Sequence, residues 1–505
     1  MPYLSLRARN SFLRVFQDLI DRLKACDETE LQTSLRLGRT RARVPTPALP
    51  LRLTLGDDDV YHLDLMAELV IGAKGEFERS GDYLLFDPER AAQEIAGFLR
   101  LQPGQSLKVG REDPLQSAVM QYPETVAARH LSLELTAKGL SFKKRGSAPT
   151  ACVAILRDLD QFRHQIEMRR GTMERLASLL GAPILAPARP EALSLLEHGI
   201  EAVAEEPYRP RASDGRPGAL LELPPGPAPI LIGDLHGRID NLLVILTQNR
   251  FLEALSEGRA MLIFLGDAVH PDEPGKEDEM DSSMLLMDLI LKLKLLFPQQ
   301  VFYLRGNHDS FSEEISKNGV PQGLVWSKAL RDRRGRRYHE AMQRFYASLP
   351  HIAVSADFLA CHAGPPTINT SRDDLINLHD HPRLQHQLEN QRLRRSQKPG
   401  GYHRKDVERF RKRLGANPGA PFIVGHSVLS EDRTYWLDAG GIENHHVLLG
   451  CHAEWAGVFT RLGGKMAPLS YPVEPLLTLY NRLFRAHSRS GSTPSPASTM
   501  GAWPQ

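Results

Sequence analysis

VFYLRGNHDSF, residues 301 to 311, decides how this chain is read. Val301 to Leu304 form a short apolar run that stops at Arg305 and Gly306, and Asn307, His308 and Asp309 follow side by side. Glycine lets a chain turn sharply where a strand ends. The run therefore presents an amide, an imidazole and a carboxylate together at one strand's carboxyl end.

Four other stretches share this grammar. ILIGDLHG (230–237) delivers Asp234 and His236, and IFLGDAV (263–269) delivers Asp267. FLACHAGP (358–365) delivers His362, and FIVGHS (422–427) delivers His426. One such end alone is an ordinary turn. Five in chain order, each closing an apolar run, point to a site at the carboxyl edge of an α/β sheet. Carboxylate, imidazole and amide oxygen together suit a divalent transition metal such as manganese, iron or zinc. A carboxylate can bridge two ions about 3.5–4 Å apart, a spacing suited to a phosphate ester.

Bulk properties narrow the class. The net charge of +2 gives no electrostatic reason to expect nucleic acid. No apolar run approaches the length of a membrane helix. The four cysteines (Cys26, Cys152, Cys361, Cys451) have no metal-ligand spacing. A reducing compartment, and by default the cytoplasm, is expected.

Apolar spacing predicts an amphipathic helix over Ser11 to Cys26, inside a leading helix-and-linker segment 1–50. Residues 51–160 alternate like strands in LRLTL, YHLDLM, DYLLF, LSLEL and GLSFKK, with one helix expected at PERAAQEIAGFL. A helical segment and a Pro/Gly/Arg-rich linker occupy 161–228. Residues 229–485 alternate strands and helices, and 486–505 form a Ser/Pro-rich tail with the composition of disorder.

The stretch from about 229 to 465 resembles the PPP-type serine/threonine phosphatases of the calcineurin-like metallophosphoesterase superfamily, whose motifs run GDxHG, GDxxDRG, GNHE and two separate histidines. The resemblance implies a β-sandwich flanked by helices and a dinuclear centre. Asp234 and His236 would bind one ion, Asp267 both, and Asn307, His362 and His426 the other. Manganese is the favoured ion, with iron or zinc as alternatives. His308 would be the general acid that protonates the leaving oxygen, a role suited to an imidazole that is not itself a ligand.

The second motif departs from the family. It reads GDAVHPD, so His270 stands where the family has the carboxylate that orients the acid, and Pro271 stands where it has a phosphate-gripping arginine. Asp272 or Asp309 could take over the orienting role. Candidate substrate contacts are His270, Arg305, one of Arg394, Arg395 and Arg404 with Arg404 favoured, and His452 in GCHAEWAG. For Arg305 a structural ion pair is the competing reading.

In the first half, LKVGRED, ARHLSLEL and RGSAPT resemble the forkhead-associated fold, a β-sandwich that binds phosphothreonine peptides. Ala127 and Ala128 replace that family's phosphate-contacting serine and arginine, and His130 would be structural. A β-rich protein-interaction domain without phosphate recognition is the alternative.

The expected activity is metal-dependent hydrolysis of phosphomonoesters, with phosphoprotein the favoured substrate and no nucleic-acid or membrane partner. A nucleotide phosphatase or dinucleoside tetraphosphate hydrolase is the alternative on the same core. A decayed scaffold that binds partners through its N-terminal domain is the alternative of another class.

Overall fold

Three short apolar strands, Ala228–Ile232, Ala260–Phe264 and Val301–Tyr303, run parallel in the middle of the chain. Each is followed by a helix or loop that returns over the sheet, so both of their faces are buried. Alternate residues point to opposite faces. Ile230, Ile232, Leu262 and Phe264 pack beneath the helices Ile239–Thr247 and Asp281–Leu296. Leu231, Ile263 and Phe302 face a second sheet.

The first sheet has five strands and adds the antiparallel hairpin Trp455–Leu462 and Lys465–Pro472. The second has six, with Leu359–Cys361, Phe422–Val424 and His445–Leu448 parallel at its centre. Ala360, Ile423, Leu448 and Phe459 close the core between them. This is the β-sandwich flanked by helices that the resemblance implies.

The computed structural model describes residues 35–38, 42–44, 50–57, 60–137, 139–145, 148–156, 160–394, 400–417 and 419–488. The expected helix over Ser11 to Cys26 lies outside them, as do Arg395 and the tail from residue 489.

The N-terminal β-rich region is also two-layered. A six-stranded antiparallel sheet includes Leu51–Leu55, Tyr61–Ile71 and Phe77–Phe86, and a four-stranded one includes Leu131–Thr136 and Gly139–Lys144. Leu53, Leu63 and Leu85 from the first share one buried core with Leu133 and Phe142 from the second. The expected helix PERAAQEIAGFL is shorter than its sequence suggests. It spans Pro88–Gln93, and Phe98–Leu101 pairs as an edge strand instead. Gly97 lies against Val119, whose carbonyl oxygen would sit 2.2 Å from an added Cβ.

The Pro/Gly/Arg-rich stretch is not a free linker. Leu220–Glu222 pairs in parallel with Ile352–Val354 as an edge strand of the second sheet described above. Upstream of it, Lys294 donates to the buried Glu206, 2.8 Å away, and Arg209 donates to the Gly218 carbonyl. Glycine and proline here shape turns within a folded unit.

The two sandwiches are joined by buried polar contacts. Glu474, 1% exposed, accepts from the Ile71 amide at 2.8 Å and pairs with Arg169. Arg100 lies 4.7 Å over the Trp455 ring, donates to the Ser470 carbonyl at 2.9 Å and pairs with Glu68.

Candidate metal centre

The parallel strands of the five-stranded sheet and of its six-stranded partner end at one edge, and all five motif loops meet there. Several loops turn through left-handed backbone, with φ of 45° at His236, 51° at Asp267 and 60° at His426. Non-glycine residues rarely adopt this region, and such strain gathers at functional sites.

Glycines make room for the carboxylates. A Cβ at position 306 would fall 2.1 Å from Asp267 Oδ1, and one at position 425 would fall 2.1 Å from Asp234 Oδ1. The orientation of each carboxylate therefore depends on a missing side chain in the neighbouring loop.

The histidines are backed by carbonyls. His236 Nδ1 donates to the Val269 and His270 carbonyls at 3.0 and 2.9 Å, and His362 Nδ1 donates to the Leu265 carbonyl at 2.8 Å. A carbonyl cannot donate, so Nδ1 carries a hydrogen and Nε2 is left to face the oxygen ligands, the arrangement common behind metal-bound histidines.

Acceptors then converge. His362 Nε2 lies 2.9 Å from Asn307 Oδ1 and 3.2 Å from Asp267 Oδ2, and His426 Nδ1 lies 3.0 Å from the same Asn307 oxygen. Asp234 Oδ2 accepts from the His426 amide at 2.9 Å, while its Oδ1 is buried without a hydrogen-bond partner. Two ligand clusters result, His236–Asp267–His308 and Asp267–His362–His426, with Asp267 in both.

The electrostatics show a shortage of positive charge. Burial pushes the Asp234 carboxyl up to about 6, against the pull of His362 and with help from Asp267. Burial alone would push His362 down, but Asp267 and Asp234 outweigh it and hold the imidazole up at about 10. Burial also opposes ionisation of Asp267, yet His362 and His308 hold it well below the usual carboxylate range. Converging lone pairs, an unpartnered carboxylate oxygen and a proton held where a cation would sit all fit divalent metal.

Residues 230–444 match the calcineurin-like phosphoesterase family. The chain carries a calcineurin-like phosphoesterase domain. Part of it is similar to human serine/threonine-protein phosphatase with EF-hands 1, 29% identical over 28% of this chain and 20% of that protein. Another match is serine/threonine-protein phosphatase rdgC of Drosophila melanogaster, 39% identical over 15% of this chain and 10% of that one. The matches thus span about a fifth or less of these relatives' length. A serine/threonine phosphatase structure from Saccharomyces cerevisiae aligns with a TM-score of 0.42 at 16% identity, over 56% of this chain and 90% of that one.

The six expected ligands of this phosphoesterase domain and His308 come together. The expected substrate contacts mostly do not. His270 is 1% exposed, and its Nδ1 lies 2.9 Å from His308 Nδ1, so its ring faces the acid candidate. Arg305 pairs with Glu389 at 3.3 Å, the structural ion pair that was its competing reading. Arg404 is exposed and donates to the Gly441 carbonyl. His452 joins two loops, with Nε2 3.1 Å from the Glu431 carbonyl and Nδ1 accepting the Glu454 and Trp455 amides at 3.1 Å.

Neither carboxylate expected to orient His308 does so. Asp309 accepts from the Tyr303 hydroxyl and the Gly306 amide at 2.8 Å and from the Asp267 amide at 3.2 Å. Burial and then Asp267 push its carboxyl up to about 7. It braces two site loops against each other. Asp272 pairs with Arg238 at 3.6 Å and Lys317 at 3.8 Å.

Sequence reasoning missed Arg392, whose Nε lies 3.3 Å from His426 Nε2. Leu393 is buried and bridges to Tyr402, which turns residues 392 and 394 away from the core. Nothing in the basic run QRLRR reveals that register.

Proposed function

We propose that the chain is a metal-dependent phosphomonoesterase, with phosphoserine or phosphothreonine in proteins as the favoured substrate. The reading rests on one observation above all, the two ligand clusters that share Asp267. Asp234, His236, Asp267, Asn307, His362 and His426 would hold two divalent cations of the class that carboxylate, imidazole and amide donors suit, manganese first with iron or zinc as alternatives. When bound, such ions neutralise phosphoryl oxygens and acidify water near neutral pH.

The protein's own residues do the rest. Asp267 fixes the acid loop, because its Oδ1 accepts the His308 amide at 2.8 Å. His308 donates the proton to the leaving oxygen. Arg392 supplies an exposed cation beside His426, suited to a phosphoryl oxygen and standing in for the arginine lost at Pro271. Among the described residues no helix is long and apolar enough to cross a membrane. A cytoplasmic site of action and a protein partner for the N-terminal sandwich belong to the same proposal.

The test is a panel of phosphopeptides, mononucleotides and dinucleoside polyphosphates with manganese-loaded protein, alongside elemental analysis. Two ions per chain and turnover of phosphopeptides are expected. Activity confined to the nucleotides would overturn the protein-substrate reading. His308→Asn should lower the rate by about 10²–10⁴-fold with both ions retained. Loss of one ion would make His308 a ligand, as its place in the His236–Asp267 cluster allows.

A further inference from the structure

We propose that His270 is the positioning residue for His308, an imidazole doing what a carboxylate does in related phosphatases. The inference rests on His308 being the acid. Their Nδ1 atoms are 2.9 Å apart. Two ring nitrogens at that distance share one hydrogen, so each ring fixes the other's tautomer and plane. Among the described residues, no other side chain is hydrogen-bonded to the His308 ring.

The surroundings are built to hold His270 still. Its amide donates to Ser283 Oγ at 3.0 Å, and its carbonyl accepts from His236 Nδ1 at 2.9 Å. Its ring stands edge-on to Trp326, with centroids 6.2 Å apart and planes at 84°. Yet two features work against the fold. The backbone is left-handed, with φ of 66°, and the ring's Nε2 is buried without a partner. Neither is needed to fill a core, since a small apolar side chain would avoid the orphaned nitrogen. What this arrangement gains is the contact with His308. A ring tied through His270 to the His236 loop also moves with that ligand, which keeps the acid in register with the metal site.

Two variants separate positioning from mere structure. Glycine accepts a positive φ freely, and asparagine tolerates it while keeping a polar atom near the lost Nδ1. His270→Gly should slow turnover of phenyl phosphate by about 10²-fold, the scale of an acid catalyst, and spare dinitrophenyl phosphate, whose leaving group needs no proton. His270→Asn should recover most of that loss. Adding His270→Gly to His308→Asn should cost nothing further, because the two act as one unit. In metal-free protein, ring-nitrogen NMR of His308 should change in the glycine variant and return toward wild type in the asparagine variant.

Equal losses on both phosphates, additive losses, or unchanged ring-nitrogen signals would overturn the proposal. A His308→Asn protein without leaving-group dependence would instead overturn the acid reading. The ring-nitrogen signals would then judge the pairing by themselves.

Discussion

The chain builds two β-sandwiches, and they treat their histidines in opposite ways. In the N-terminal one, His130 is buried, its Nδ1 accepts the Ala127 amide at 3.2 Å and its Nε2 donates to the Thr150 carbonyl at 3.3 Å. Both nitrogens are spent on backbone. Arg111, part of the forkhead-associated resemblance, likewise donates to the Val126 and Glu124 carbonyls at 2.6 and 3.2 Å. In the sandwich that carries the candidate metal centre, His236 and His362 spend one nitrogen on backbone and turn the other toward oxygen ligands. Strain follows the same division. His236, Asp267, His270 and His426 all have positive φ, whereas Gln121, at the end of a short helix, is the one such non-glycine residue described before position 160. A histidine beside a strand is therefore weak grounds for a site. Unsatisfied lone pairs on a strained backbone are much stronger grounds.

The contrast is tested most severely at Asp267. Asp267→Asn keeps an oxygen for the His308 amide but removes the shared negative charge. Turnover of an aryl phosphate should fall by at least about 10³-fold, more than a typical oxyanion-hole deletion. Circular dichroism should be unchanged and metal content reduced. Wild-type activity in this variant would remove the bridging assignment.

Next in size is the seam between the sandwiches. Glu474→Ala leaves Arg169 buried without its carboxylate and the Ile71 amide without an acceptor. Breaking a buried pair from one side costs about 3–5 kcal/mol. Urea denaturation should show that loss, while kcat/KM of the folded protein stays close to wild type. An unchanged midpoint would mean that the two units are held together elsewhere.

Gly425→Ala probes the site by shape alone. The added Cβ meets Asp234 Oδ1 at 2.1 Å, so the carboxylate must swing away. A displacement of about 1 Å in a catalytic constellation costs on the order of 10²-fold. Activity should fall by that amount with little change in stability. Full activity with full metal content would show that Asp234 is not held in place by the glycine.

How much of this could be read beforehand follows from how far each signal reaches along the chain. Asp234, His236, Asp267, Asn307, His362 and His426 were legible because each sits one to three residues after the glycine, or directly after the apolar run, that ends its strand. Arg392 and the pairing of His270 with His308 were not. The first depends on which way Leu393 faces, and the second on how two loops meet across the strand ends. The stretch 206–228 misled for a related reason. Proline and glycine mark turns whether a segment is free or folded, and its pairing partner, Ile352–Val354, lies far away in sequence. In the N-terminal half the strands were legible from their alternation. The length of the Pro88–Gln93 helix was not, because Gly97 is fixed by Val119.

The smallest effect expected is also the one that best isolates the structural histidine. His130→Gln removes two buried hydrogen bonds, a loss of about 1–3 kcal/mol at pH 7.5. Burial lowers the His130 pKa in the folded protein, with the Thr150 carbonyl pulling the other way. The unfolded chain, near its ordinary value of about 6.5, therefore takes up a proton first as the pH falls. Stability from neutral His130 is thus present above pH about 6.5 and is lost as the pH falls toward the lower folded value. Glutamine does not titrate. The gap between wild type and variant in urea midpoint should be widest at pH 7.5 and should narrow at pH 5.5, with kcat/KM unaffected throughout. A gap that widens in acid would mean that His130 is held in its charged form, and the contrast between the two sandwiches would lose its simplest case.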